Sequence, residues 1–200
     1  MKNSKTLIIA RAAVICALYV ALTYACMPLA YGIFQVRIGE ALTILPLLYP
    51  EAIPALFIGC ILSNIGSPFG FYDIIIGSCA TLIAATLTYI VGKKIKNKPL
   101  KIFLGGLPPV LVNALVLPAM WFLFDFDTGY VLNMASLLLT QSVFVYALGT
   151  PLFIAADRLK SKNVKGFQSC ECNLFAKKKK PETVKTEPET VEVDIDNQSK

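Results

Sequence analysis

The chain has 200 residues, of which 56% are hydrophobic and only 16% charged, with a formal net charge of +6. A water-soluble domain carries about a quarter of its residues charged, so this composition argues against one. Charge is also unevenly placed: residues 1–156 hold five carboxylates (Glu40, Glu51, Asp73, Asp125 and Asp127), and the other eight of 13 lie at Asp157 or beyond. The pattern reads as a bilayer-embedded body, residues 1–160, followed by a polar tail, residues 161–200.

The first apolar segment, Leu7–Ala30, is interrupted only by Arg11 and a few small polar residues. It has the length of a membrane helix, which needs about 20 residues for a hydrocarbon core of about 30 Å. A cleaved signal peptide is the rival, since Lys2 and Lys5 precede the run, but the stretch is long for an h-region and further apolar segments follow. Ala13, Ala17 and Ala21 repeat every fourth residue and form a flat strip for close helix approach, either inside this chain or against a partner.

Next come Glu40–Tyr49 and Glu51–Ile65, both short, with Pro46 and Pro54 inside them and Pro50 between. They form either a re-entrant hairpin or two full crossings. Asp73–Gly92, Leu100–Phe124 and Tyr130–Ala156 are long enough to span. The expectation is an all-α integral membrane protein with six transmembrane helices. Eighteen of the 19 basic residues then fall on one side, which the positive-inside rule makes the cytoplasm, with both termini there. Arg37 is the basic residue left facing out. After Lys165 the chain is Pro-, Glu- and Thr-rich with a Lys177–Lys180 run, a composition expected to stay disordered.

Several chemistries are missing. The sequence has no histidine, which removes imidazole bases, histidine metal ligands and histidine proton relays. It has no G-x-x-x-x-G-K-[ST] run and so no phosphate-binding loop of its own. Lysines and arginines flank apolar segments, which speaks for topology rather than nucleic acid. Cys16, Cys26, Cys60 and Cys79 sit in apolar segments as small hydrophobes. Cys170 and Cys172 lack a second pair and suggest no metal site. No metal and no cofactor is expected in this chain.

Ionisable residues inside a membrane are costly and mark functional sites. Arg37, Glu40, Asn64, Tyr72 and Asp73 gather near the outer face, with Asn113 and Gln141 deeper. Arg37 and Glu40 are three apart and share a helical face, where they can pair. Each also has a structural reading: Glu40 and Asp73 stand at segment starts, where carboxylates cap helices. Glu51 reads as a cap or a coupling residue, Asp125 and Asp127 as an outer loop or lid. Asn113, between Pro108/Pro109 and Pro118, has backbone carbonyls freed by proline to satisfy.

The run Val36–Pro46 (VRIGEALTILP), followed by Tyr49–Pro54 (YPEAIP), Gly59–Asn64 (GCILSN), Asp73, Gly77-Ser78 and Thr81-Leu82, resembles the QueT family. The resemblance covers most of residues 8–157 and none of the tail. It implies the substrate-binding S component of an energy-coupling factor (ECF) transporter, a six-helix bundle specific for queuosine precursors in the plasma membrane. It also implies partners: a transmembrane coupling subunit, contacted through Ala13, Ala17 and Ala21, and two cytosolic ATPases that use the ATP. Transport in that class is thought to involve toppling of the S component.

A 7-deazaguanine ligand suits the residues. Its N1–H and amino group match one carboxylate in a charge-assisted pair, and an aminomethyl substituent favours a second, roles open to Glu40 and Asp73 in either order. Asn64, Asn113 and Gln141 then serve the ring oxygen and nitrogens, Tyr72 or Trp121 stacks on the base, and Arg37 orients Glu40. An S component for another vitamin or nucleobase is the alternative. A stand-alone channel or secondary transporter lacks its continuous polar path or inverted repeat, and a membrane enzyme lacks any catalytic constellation beyond the carboxylates.

Overall fold

The computed structural model describes residues 2–30, 36–126 and 129–162, and every regular element in them is helical. Asp127, Cys170, Cys172, the Lys177–Lys180 run and the expected tail from residue 163 onward lie outside the described residues. Four helical stretches are long and apolar enough to cross a membrane: Lys5–Ala25, Asp73–Lys94, Lys98–Leu123 and Tyr130–Ser161. Two shorter apolar helices, Ile38–Leu47 and Ala52–Asn64, lie among them.

Helix α1 (Lys2–Ala25) runs into a single turn, α2 (Met27–Ala30). Its inward face carries Ile15, Tyr19 and Thr23 at four-residue spacing, all buried, as the helical period requires. Ala13, Ala17 and Ala21 lie on another face and are exposed. Among the described residues nothing packs over the alanine strip.

The next element is a 3-10 helix, Ile38–Leu47, in which every residue from Gly39 to Leu47 is buried. Runs beyond three or four residues are uncommon in this tighter helix, and tertiary contact holds this one. It packs against α1, α3 (Ala52–Asn64), α4 (Ser78–Lys94), α5 (Lys98–Leu123) and α7 (Gly149–Ser161), and is the central element of the bundle. Its rise of about 2.0 Å per residue gives a length of about 20 Å, and α3 at about 1.5 Å per residue is equally short. Glycines make the close approaches possible. A Cβ on Gly39 would meet Thr23 Oγ1 of α1 at 2.7 Å, and one on Gly92 of α4 would meet the Leu47 Cα and carbonyl oxygen at 2.9 Å.

Two π-helical segments complete the framework. Asp73–Gly77 leads directly into α4, and Val143–Leu148 joins α6 (Tyr130–Ser142) to α7. Helix α5 continues through Pro108, Pro109 and Pro118. It ends at Phe124 with Asp125 in the left-handed region (φ 58°) and the Phe126 N–H donating to the Trp121 carbonyl at 2.9 Å. This is the Schellman arrangement, usually built on glycine.

The lysine-rich end is tied by charge. Arg11 pairs with Glu51 at 2.6 Å, and its guanidinium lies 4.7 Å from the centre of the Tyr49 ring. Lys160 approaches the same ring at 5.6 Å and donates to the Leu48 carbonyl at 3.4 Å. Glu51 stands at the N-cap position of α3 but makes no capping hydrogen bond; its carboxylate serves Arg11 instead.

Candidate functional site

The polar residues singled out by sequence converge at the opposite end of the bundle, where Arg37 begins the 3-10 helix. Arg37, Glu40, Asn64, Asp73, Asn113 and Gln141 are all at most 3% exposed. They come from five stretches of chain, so the fold rather than local sequence assembles them. Tyr72 differs: it is 41% exposed and lies against Phe124, ring centres 4.1 Å apart.

Around Asp73 the contacts are charge-assisted. Arg37 pairs with its Oδ2 at 3.2 Å, and the Ser67 hydroxyl donates to the same oxygen at 2.7 Å. Asn64 donates to the Asp73 backbone carbonyl at 3.0 Å and approaches the Cys60 sulfur at 3.4 Å, where Thr81 also donates at 3.3 Å. The ion pair of Arg37 thus crosses the bundle to Asp73, whereas helical spacing pointed along the chain to Glu40. Arg37 is the N-cap of the 3-10 helix with non-helical backbone angles (φ -110°, ψ 88°), so helical i, i+3 spacing does not set its direction. Capping does not account for Asp73 either, since its Oδ2 is spent on Ser67 and Arg37.

Glu40 lies one turn further into the bundle. Its Oε1 accepts from the Tyr19 hydroxyl of α1 at 2.8 Å and its Oε2 from the Asn113 amide of α5 at 3.4 Å. These bonds tie a carboxylate to two neighbouring helices and leave no role for capping. The Asn113 amide goes to Glu40 rather than to carbonyls freed by the flanking prolines.

Among the described residues, the buried polar atoms without a hydrogen-bond partner include four on side chains weighed for ligand contact: Asp73 Oδ1, Asn64 Oδ1, Gln141 Oε1 and Trp121 Nε1. Buried polar groups are nearly always hydrogen-bonded, so open atoms on neighbouring side chains, as Asp73 and Asn64 are around Gly77, mark a candidate ligand site. Three of the four are acceptors as oriented. Asp73 Oδ1 and the Asn64 amide both border Gly77, whose Cβ, if present, would sit 3.4 Å from the first and 3.1 Å from the second.

Aromatic rings cover this end. Phe69 stacks on the buried Trp121 with centres 5.1 Å apart and meets Phe126 edge-on at 5.6 Å. Both rings proposed for stacking, Tyr72 and Trp121, belong to this cluster. Among the described residues no group of three His, Cys, Asp or Glu side chains is arranged to hold a metal ion.

Sequence reasoning missed two participants. Tyr19 looked like an ordinary tyrosine in an apolar helix; its signal was a place on the same face as Ile15 and Thr23. Ser67, in a turn six residues before Asp73, carried no signal at all.

Comparisons with known proteins bear on the family of the chain. The queuosine precursor transporter QueT of Lactococcus lactis subsp. cremoris (strain MG1363) is 36% identical over 99 residues, 48% of this chain and 58% of the relative. The match therefore spans less than two thirds of that protein. No solved structure matches the chain. The family described as QueT transporter matches residues 9–158, the whole helical body. With four helices long and apolar enough to cross a membrane, the chain belongs to the QueT transporter family.

Proposed function

We propose that the chain is the substrate-binding S subunit of an ATP-driven ECF importer, capturing a queuosine precursor at the outer face of the plasma membrane. The observation that carries the reading is the buried set of open acceptors, Asp73 Oδ1, Asn64 Oδ1 and Gln141 Oε1. A guanine-type edge presents adjacent N–H donors, and donors are what such a set lacks. The printed name of the lactococcal relative supports queuine or a 7-substituted 7-deazaguanine as the ligand.

In this reading the protein crosses the membrane six times, the two shorter helices included, and is therefore multi-pass. The lysine-rich end faces the cytoplasm together with both termini. Arg37, Glu40, Asn64, Tyr72, Asp73, Asn113 and Gln141 form an outward-facing binding site. The exposed strip of Ala13, Ala17 and Ala21 meets the transmembrane coupling subunit, since a row of small side chains lets a foreign helix approach closely. Two cytosolic ATPases supply the energy.

The test is reconstitution. Proteoliposomes holding the chain with a coupling subunit and two ATPases are expected to accumulate a labelled 7-deazaguanine only when ATP is hydrolysed. Accumulation that does not depend on the ATPases would sink the importer assignment. Failure of the folded protein to bind any deazaguanine would sink the substrate.

A further inference from the structure

Charges around the site do not balance. Buried together are two carboxylates, Glu40 and Asp73, and one guanidinium, Arg37. Arg37 is the only Lys or Arg in residues 12–92, and residues 102–157 contain none. The segments at this end of the bundle therefore bring no second cation to it.

That one cation is committed to Asp73, at 3.2 Å. Glu40 accepts from two neutral donors, the Tyr19 hydroxyl and the Asn113 amide. Arg37 also acts on Glu40 through space, but one cation between two carboxylates leaves the group net negative; the Cys60 thiol of α3 brings no positive charge, and α4 contributes the Thr81 hydroxyl beside that sulfur. A buried carboxylate whose hydrogen-bond partners are all neutral is expensive unless a proton or a cation joins it.

We infer that Glu40 is the counter-ion for a positively charged group of the ligand, and that the site selects cationic ligands over neutral ones of the same shape. The inference rests on the proposed function and assigns the two carboxylates different tasks. Asp73, already matched by Arg37, reads uncharged N–H donors with its open Oδ1 beside Asn64. Glu40 lies one 3-10 turn beyond Arg37, about 6 Å along the axis of that helix. For a planar base that donates to Asp73 and Asn64 and extends an arm to Glu40, the net negative charge of the site favours an arm ending in an ammonium group.

The experiment compares two ligands that differ in charge and hardly in size, 7-aminomethyl- and 7-hydroxymethyl-7-deazaguanine. Each is titrated into the full-length detergent-solubilised protein. The wild type is expected to prefer the amine by at least about tenfold. In Glu40→Gln the ratio is expected to fall to within about threefold, while Tyr19→Phe, which removes a neutral donor and no charge, retains the preference. Equal affinities in the wild type would overturn the inference, as would a preference that survives in Glu40→Gln. Should that variant fail to fold, the wild-type ratio decides alone. If the folded wild type binds neither compound, the queuosine-precursor reading itself has failed.

Discussion

Asp73 has one oxygen held by the protein and one left open. Oδ2 is held by Arg37 and Ser67, while Oδ1 is open beside Gly77. Gly77→Ala places a methyl against that oxygen and the Asn64 amide at distances a small shift absorbs. Ligand affinity is expected to fall about tenfold or more while the unfolding midpoint in detergent moves little; a variant that binds normally would remove Oδ1 from the site. Arg37→Gln acts on the other oxygen and leaves a buried carboxylate unpaired, at a cost of about 3–5 kcal/mol. Denaturant unfolding checks this, and Arg37→Gln combined with Asp73→Asn is expected to recover part of the loss. Arg37, Glu40, Asn64, Asp73 and Asn113 were legible in the sequence because each is a polar group in an apolar background, where its presence demands a reason. Their partners were not. Arg37 and Asp73 are 36 residues apart, and helical spacing speaks only of neighbours three or four away.

The elements differ in how far sequence could describe them. Long helices were read from apolar length alone, since a span of about 20 residues leaves few alternatives. A 3-10 helix differs from an α-helix only in its hydrogen-bonding partner, and tertiary contact chose it for Ile38–Leu47. The π segments are equally silent in sequence, yet they have a geometric use. Leu137, Gln141, Val145, Gly149 and Phe153 are all buried at four-residue spacing. In a regular α-helix each such step drifts by about 40°, and Phe153 would face away from Leu137. The wider turns of Val143–Leu148 absorb that drift and keep one face buried along the whole stretch. Packing at the 3-10 helix gives a contrast between two glycines that both touch Leu47. Gly92→Ala sets a methyl against its backbone, which cannot step aside, and is expected to cost about 1–3 kcal/mol. Gly105→Ala meets only the end of its side chain, from 2.5 Å, and is expected to cost clearly less. Equal unfolding midpoints for the two variants would contradict the central clamping of this element.

For the whole molecule, the inward face of α1 is spent on Ile15, Tyr19 and Thr23, and its alanine face is left outside. Ala17→Trp is thus expected to leave ligand binding unchanged and to lower ATP-driven uptake by at least about tenfold, because a bulky ring keeps a partner helix away. Uptake at the normal rate would move the coupling surface elsewhere. Composition alone made the membrane body and its lysine-rich end legible. It could not decide how the two short helices sit, because their lengths fall between a full crossing and a hairpin.

Burial of the site also has a consequence for time. Glu40 is 1% exposed, and the stack of Phe69 on Trp121 covers the end of the bundle from which the polar residues are reached. A solute cannot collide with a carboxylate that solvent does not touch, so the rings must part before capture. Association is then paced by the opening of this roof, and its rate constant falls below that of an open cleft. Once the rings close again, the same roof prolongs the stay of the captured molecule. Tight holding would then follow from slow escape as well as from strong contacts.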